Sequence, residues 1–381
     1  MATSSYGPLI QAAGDQGRGS LRVAEYRRRL KEQIGGNRLE TFGEALLLVI
    51  ARVASLTSIG KKKVTYARAA AILFLSLFCT TSSIALLLVP LQDMGLVLAV
   101  HAWGAGVATL QLLSSRYYSR LLRETIVKYV IDSISSLADL RDLAGWVEAT
   151  FDKRRQLGMS LAIGGIASIL GFVGVFVTDH EVLLNPGTIL LSVVGWFLGA
   201  TGWYFLIPGV TLGAHLAKYK LALFSPDPAH SELIGAVCHM MHRALFVAVA
   251  IATLFTSGVF LLGTRSLRLQ IAFSVVCAWG PLVICLSYYQ YCLFKVIRNA
   301  KRAALGPLEL AVLDLQSRVQ LLDAVLFDRL NKLLDLHKRI RESNATALDW
   351  RGSLATINTL LLPLISFLVA HSLSVGGEIP K

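Results

Sequence analysis

Charge is scarce in this chain. Of its 381 residues 16% are Asp, Glu, Lys or Arg and 54% are hydrophobic, whereas soluble domains carry about 25% charged residues and about 45–50% apolar ones. That deficit excludes an ordinary water-surrounded fold and points to a membrane. Cysteine is also sparse: Cys79, Cys238, Cys277, Cys285 and Cys292 are five, an odd number, and four sit in apolar blocks, which argues against a disulfide framework. Residues 1–40 hold no apolar core of a cleavable signal peptide, so the first span is expected to act as its own insertion signal. No phosphate-binding glycine loop, nucleophile elbow or pair of carboxylates occurs, so neither an enzyme nor a cofactor is expected.

Acidic residues number 24 against 37 Lys and Arg, a formal charge of +13. Such a balance often marks nucleic-acid binding, but the distribution excludes that partner: no zinc-finger spacing or aromatic–basic motif is present, and the cations gather between apolar blocks. Seven stretches approach the roughly 20 apolar residues needed to cross a hydrocarbon core, at about 69–90, 95–113, 157–178, 188–212, 244–263, 270–294 and 353–375. The segments before span one and after spans two, four and six hold 12, 8, 3 and 11 basic residues. The loops at 91–94, 179–187 and 264–269 plus the C-terminal tail hold 3. By the positive-inside rule the N-terminus and long connections lie in the cytoplasm and the C-terminus outside.

The expected class is therefore all-α: a polytopic bundle of seven transmembrane helices, three hairpins plus a last span, with long cytoplasmic amphipathic helices. Its expected parts are a flexible basic segment (1–40), an interfacial amphipathic segment on lipid (41–67), a six-helix membrane domain with cytoplasmic helices (68–296), a cytoplasmic helical anchor (297–352), and the last span with a short outside tail (353–381). Within the anchor, Leu308, Val312, Leu315, Val319, Leu322, Leu326, Leu330, Leu333, Leu336 and Ile340 recur at steps of three and four. That pattern predicts one long helix of roughly 50 Å with a single apolar stripe, serving as a structural base or an oligomerisation platform.

No Asp, Glu, Lys or Arg lies in the middle of any span; His101 is the one ionisable group there. Proton-coupled transport usually needs intramembrane carboxylates, so it is disfavoured. Gly195/Gly199 and Gly209/Gly213 have the spacing that lets helix backbones approach, and Pro208 predicts a kink, with a broken helix framing a ligand as the alternative. In the last span Gly352, Thr356, Thr359, Pro363, Ser366 and Ala370 share one face, with Asn358 beside it. Such a stripe lines a water-filled path or a packing seam. Candidate pore-lining residues are Thr356, Asn358, Thr359 and Ser366; candidate ligand-binding residues are His101, Trp103, Trp196, Trp203 and Tyr204. Cys238 and His242, one helical turn apart, are too few for a metal site by themselves.

The layout resembles the insect odorant and gustatory receptor superfamily: similar length, seven spans, a cytoplasmic N-terminus, and a chain ending soon after the last span. The residues carrying the resemblance are the stripe at 308–340, the span at 353–375 and the tail to Lys381. The Thr-Tyr…Gln-Phe signature of gustatory receptors is absent from INTLLLPLISFLVAHS. The resemblance implies a homotetramer anchored by cytoplasmic helices, with the last helix lining a central cation pore. The sequence reading is thus a homo-oligomeric, ligand-gated cation channel in a lipid bilayer, with a small-molecule ligand. Its rivals are a non-conducting scaffold or accessory subunit, and a facilitator for an uncharged solute built on the Pro208 kink.

Overall fold

The computed structural model describes residues 7–36, 41–57, 65–176, 185–223, 226–261, 275–318 and 324–343. Among them every extended element is helical; the only pairing of strand type is an isolated bridge between Ile134 and Leu221. The helices are α1 (Gly7–Gly35), α2 (Phe42–Thr57), α3 (Tyr66–Leu86), α4 (Met94–Thr125), α5 (Leu137–Phe151), α6 (Lys153–Phe176), α7 (Pro186–Leu216), α8 (Glu232–Leu261), α9 (Gly280–Arg318) and α10 (Ala324–Glu342). Helix α4 carries on through a widened turn at Ile126–Val130 to Ser133.

Five helical segments among the described residues are long and apolar enough to cross a membrane: Tyr66–Leu86, Leu91–Ser133, Pro186–Leu216, Glu232–Gly258 and Gly280–Ser317. Their outward faces carry apolar side chains such as Leu75, Phe246, Val283 and Ile284, each more than half exposed, as lipid-facing surfaces require. The described part of the chain is thus helical, with five segments that could span a membrane as those of a multi-pass integral-membrane protein do. Helix α6 stands where the third span is expected. The stretch 353–375, with Thr356, Asn358, Thr359 and Ser366, lies outside the described residues.

Local sequence sets the helix starts. Asn185 accepts from the Thr188 backbone N–H at 2.9 Å, with Pro186 in the first turn of α7, where a missing N–H does no harm. Thr65 and Ser136 cap α3 and α5 in the same manner. Helix α7 runs unbroken through Pro208, so the broken-helix alternative does not describe it. It is the hub of the bundle, packing on α3, α4, α6 and α9.

Glycine makes those approaches close. A Cβ on Gly164 of α6 would fall 2.9 Å from the Phe197 Cα, and one on Gly187 would fall 2.2 Å from the Thr81 carbonyl oxygen. The expected Gly195/Gly199 seam faces α4: a Cβ on Gly199 would lie 1.9 Å from Gln111 Oε1. Gly213 performs the same service for Cys292 of α9, at 2.9 Å.

Two sequence expectations differ from the structure. Residues 1–40, expected to be flexible, include α1, because Val23, Tyr26, Leu30 and Ile34 recur at steps of three and four; Leu30 and Ile34 are buried in the core. Lys31 pairs with Asp132 at 2.7 Å, and Arg27 donates to the Ile134 carbonyl. The segment expected as interfacial and amphipathic, 41–67, starts with α2, whose Leu47 is buried against Leu112, Ala108, Ala69 and Leu198, while Val49 and Val53 remain on its outer face.

The second difference is the stripe at 308–340. It does not form one helix but is divided between α9 and α10, which pack together. His337 reaches Glu309 at 3.5 Å and Lys301 donates to the Ser343 carbonyl. A continuous helix would separate the first pair by about 42 Å, so the two helices run antiparallel. A repeat of three and four gives each helix a stripe but carries no information on where the chain turns back.

Candidate functional site

Three of the five candidate ligand residues come together. Trp103 of α4, Trp196 of α7 and Phe255 of α8 form an aromatic cluster, Trp103 and Trp196 lying 5.8 and 5.6 Å from the Phe255 ring centre. The Trp103 indole donates to the Leu254 carbonyl at 3.0 Å and occupies the space a Cβ on Gly258 would need. Trp196 and Trp203 line a void of about 30 Å³ with Gln111, Ser114 and Tyr118 of α4 and Ala248 and Ala252 of α8. A void of this size suits a water between polar groups. Small-molecule sites measure about 300–1,000 Å³, so the cluster is a packed junction of three helices and has no room for a ligand of that kind.

The other two candidates serve elsewhere. His101 is fully buried; its Nε2 lies 3.0 Å from Thr188 Oγ1 and its Nδ1 3.3 Å from Ser82 Oγ. Asn185 Nδ2 in turn donates to Thr188 Oγ1 at 3.0 Å. With the His101 proton on Nδ1, each group donates to the next from Asn185 to Ser82. The ring thus ties α3, α4 and the start of α7 together, which is the packing role a lone apolar-face histidine usually has. Replacing His101 with Ala leaves two buried hydroxyls without their ring partner, at about 1–3 kcal/mol. The expected result is a lower thermal midpoint in detergent; a midpoint equal to wild type would remove this role. Tyr204 donates to the Thr150 carbonyl at 3.0 Å and packs on Phe205, far along α7 from Trp196.

Cys238 and His242 line a small void of about 10 Å³ with Met241, Cys285 and Tyr289. Among the described residues no three His, Cys, Asp or Glu side chains gather as a metal site would require.

Two polar arrangements were not read from the sequence, and both lie on the lysine- and arginine-rich side. In the first, Tyr219 donates to Asp142 at 2.8 Å, the Lys220 N–H donates to Asp139 at 2.9 Å, and Asn299 donates to the Ala217 carbonyl at 3.0 Å. Burial, then the Asp142 carboxylate, pushes the Tyr219 phenol up, so it stays a donor. With the Ser135 and Ala222 backbone bonds flanking the Ile134–Leu221 bridge, this clamp joins the ends of α4, α5 and α7 to the middle of α9. In the second, Thr41 and Glu44 bond reciprocally at 2.9 and 3.0 Å, and Glu44 also pairs with Arg123 at 2.7 Å. The spacing of Thr41 and Glu44 is that of a capping box, which was the available sequence signal; nothing in the sequence pointed to Arg123.

No protein-family model matches the chain, and no curated protein or solved structure is significantly similar to it.

Proposed function

We propose that the chain is the subunit of a homo-oligomeric membrane channel for cations, in which residues 353–375 line a path between copies. The observation that carries the reading is the contrast between a packed aromatic junction and a polar stripe. The aromatic junction of the described helices holds only about 30 Å³ of free space. Thr356, Asn358, Thr359 and Ser366, by contrast, put weakly polar groups on or beside one face of an otherwise greasy segment. Association of copies is supported from the other side of the molecule. Helix α9 has 39 residues, about 58 Å of length, roughly twice a hydrocarbon core. On its far part and on α10, Leu310 and Leu313 are 71% and 61% exposed and Phe327 is 56% exposed. Apolar side chains beyond the membrane favour burial against another protein surface, here a second copy. The order of a long helical anchor followed by a final span supports the same arrangement. Ligand gating at Trp103, Trp196 and Trp203 has no support in a water-sized void.

The test is conductance of the purified full chain in planar bilayers, with Thr359 replaced by Ser, Val and Leu. The expected result is current that falls with side-chain size and polarity loss, with Thr359→Leu reducing it several-fold. Conductance and selectivity unaffected across the series would end the pore assignment. The second reading, a non-conducting scaffold, is favoured by the use of His101 and Tyr204 in packing. Single-particle imaging separates the two: a closed ring with 353–375 at its axis supports the channel, and a monomer supports the scaffold.

A further inference from the structure

A further cavity lies on the lysine- and arginine-rich side, at the flank of α4. It has a volume of about 400 Å³ and is lined by Ile34 and Gly35 of α1, Glu44, Tyr66, and on α4 and its continuation Arg116, Arg120, Arg123 and Lys128. Its size falls in the small-ligand range, unlike the aromatic void. Arg116, Arg120, Arg123 and Val127 follow at steps of four, three and four, so α4 presents all of them on one face.

The charges in the cavity do not cancel. Glu124 pairs with Arg120 at 2.8 Å and Glu44 with Arg123 at 2.7 Å. Arg116 instead sits 3.2 Å from the centre of the Tyr66 ring, and among the described residues no carboxylate pairs with it or with Lys128. A guanidinium over a ring uses its flat face, and its N–H donors remain on the edge for an acceptor. Four cations and two carboxylates leave two positive charges around one space.

Depth identifies the chemistry. The apolar run of α4 ends near Leu113, followed by the exposed Tyr117, and Tyr66 begins α3; tyrosines of this kind mark the level of lipid headgroups. We propose that this cavity binds a phosphate group carried by a lipid headgroup or a small phosphate ester, held by Arg116, Arg120 and Lys128. The inference does not depend on conduction, and its test reads no current.

The experiment is native mass spectrometry of the full chain in detergent with added phosphatidic acid, phosphatidylglycerol or phosphatidylcholine. Wild type should retain the acidic lipids over phosphatidylcholine, and Arg116→Gln with Lys128→Gln should weaken that retention about tenfold. Arg329→Gln with Lys338→Gln on α10, equal in charge change, should leave it intact. Lys128→Gln alone, at an exposed position, supplies a lesser loss where the Arg116 change disturbs folding. Glycerol 3-phosphate titrated calorimetrically into lipid-free protein distinguishes the sources: heat abolished by the cavity variants assigns a soluble ester, and lipid retention without such heat assigns a headgroup. Retention and heat both unaffected by the cavity variants, or equal losses from the α10 pair, would overturn the proposal.

Discussion

Gly187→Leu should cause the largest loss of stability of any single substitution in the membrane body. The Cβ it adds would stand 2.2 Å from the Thr81 carbonyl oxygen and 2.9 Å from the Ala85 nitrogen. Both are backbone atoms of α3, so no side chain can swing aside, and α3 and α7 must part. Parting them also stretches the His101 link, which spans Ser82 of α3 and Thr188 of α7. Overpacking ordinarily costs about 1–3 kcal/mol; a clash with backbone in a three-helix node places this one at or above about 3 kcal/mol. Gly199→Ala should be milder despite its 1.9 Å contact, because the obstacle is Gln111 Oε1, the end of a flexible side chain beside the water-sized void. Gly165→Ala meets nothing within 4 Å and should be neutral or gain up to about 1 kcal/mol of helix propensity. Tryptophan-monitored thermal unfolding in detergent orders the three. If Gly187→Leu unfolds at the wild-type temperature, the close α3–α7 approach is refuted.

Glu44→Ala is the second large effect. One carboxylate there accepts from the Thr41 N–H and from Arg123, and the Glu44 and Arg123 side chains are only 9% and 18% exposed. Removing it takes the acceptor from the Thr41 N–H, half of the capping box, and takes the carboxylate from a guanidinium in a mostly desolvated place. Losing a cap bond is worth about 1 kcal/mol, and breaking a fully buried pair about 3–5 kcal/mol. Discounting for residual solvent contact at Arg123 gives about 2–3 kcal/mol in total. Glu44→Gln keeps the cap acceptor and should lose roughly half as much. The double variant Glu44→Ala/Arg123→Ala should recover part of the loss, since the charge that lost its carboxylate goes with it. Denaturant or thermal melts of the four proteins measure this coupling; strictly additive losses would show that the pair contributes nothing beyond its members.

Apolar runs, with a few capping residues, settle much of this protein directly. Twenty consecutive apolar residues favour a helix in hydrocarbon, because only in a helix does a single segment satisfy its own backbone N–H and C=O groups, and so α3, α4, α6, α7, α8 and α9 stand at or near the expected stretches. The glycine spacing on α7 and the lone histidine in α4 were legible for the same reason: small size and isolation of a polar group restrict what either can do. The candidate site was less legible. Trp103, Trp196 and Trp203 are brought together, but whether they enclose a ligand or one another depends on how α8 seats Phe255 between the indoles, with Gly258 admitting one of them.

Tertiary structure alone decided the rest. A stripe of leucines at 308–340 is equally compatible with one straight helix and with two antiparallel ones, and the contacts from Glu309 to His337 and from Lys301 to Ser343 chose the second. The steps in α1 were weak beside its Gly and Ser content until Leu30 and Ile34 found the core. Arg116, Arg120 and Arg123 read in sequence as membrane-flanking charge; only the meeting of α1, α2, α3 and α4 encloses them around a shared space. Hydropathy and charge sidedness act on each segment independently and therefore survive as one-dimensional patterns. Ion pairs, close backbone approaches and cavities belong to pairs of segments, and their energy exists only once those segments meet.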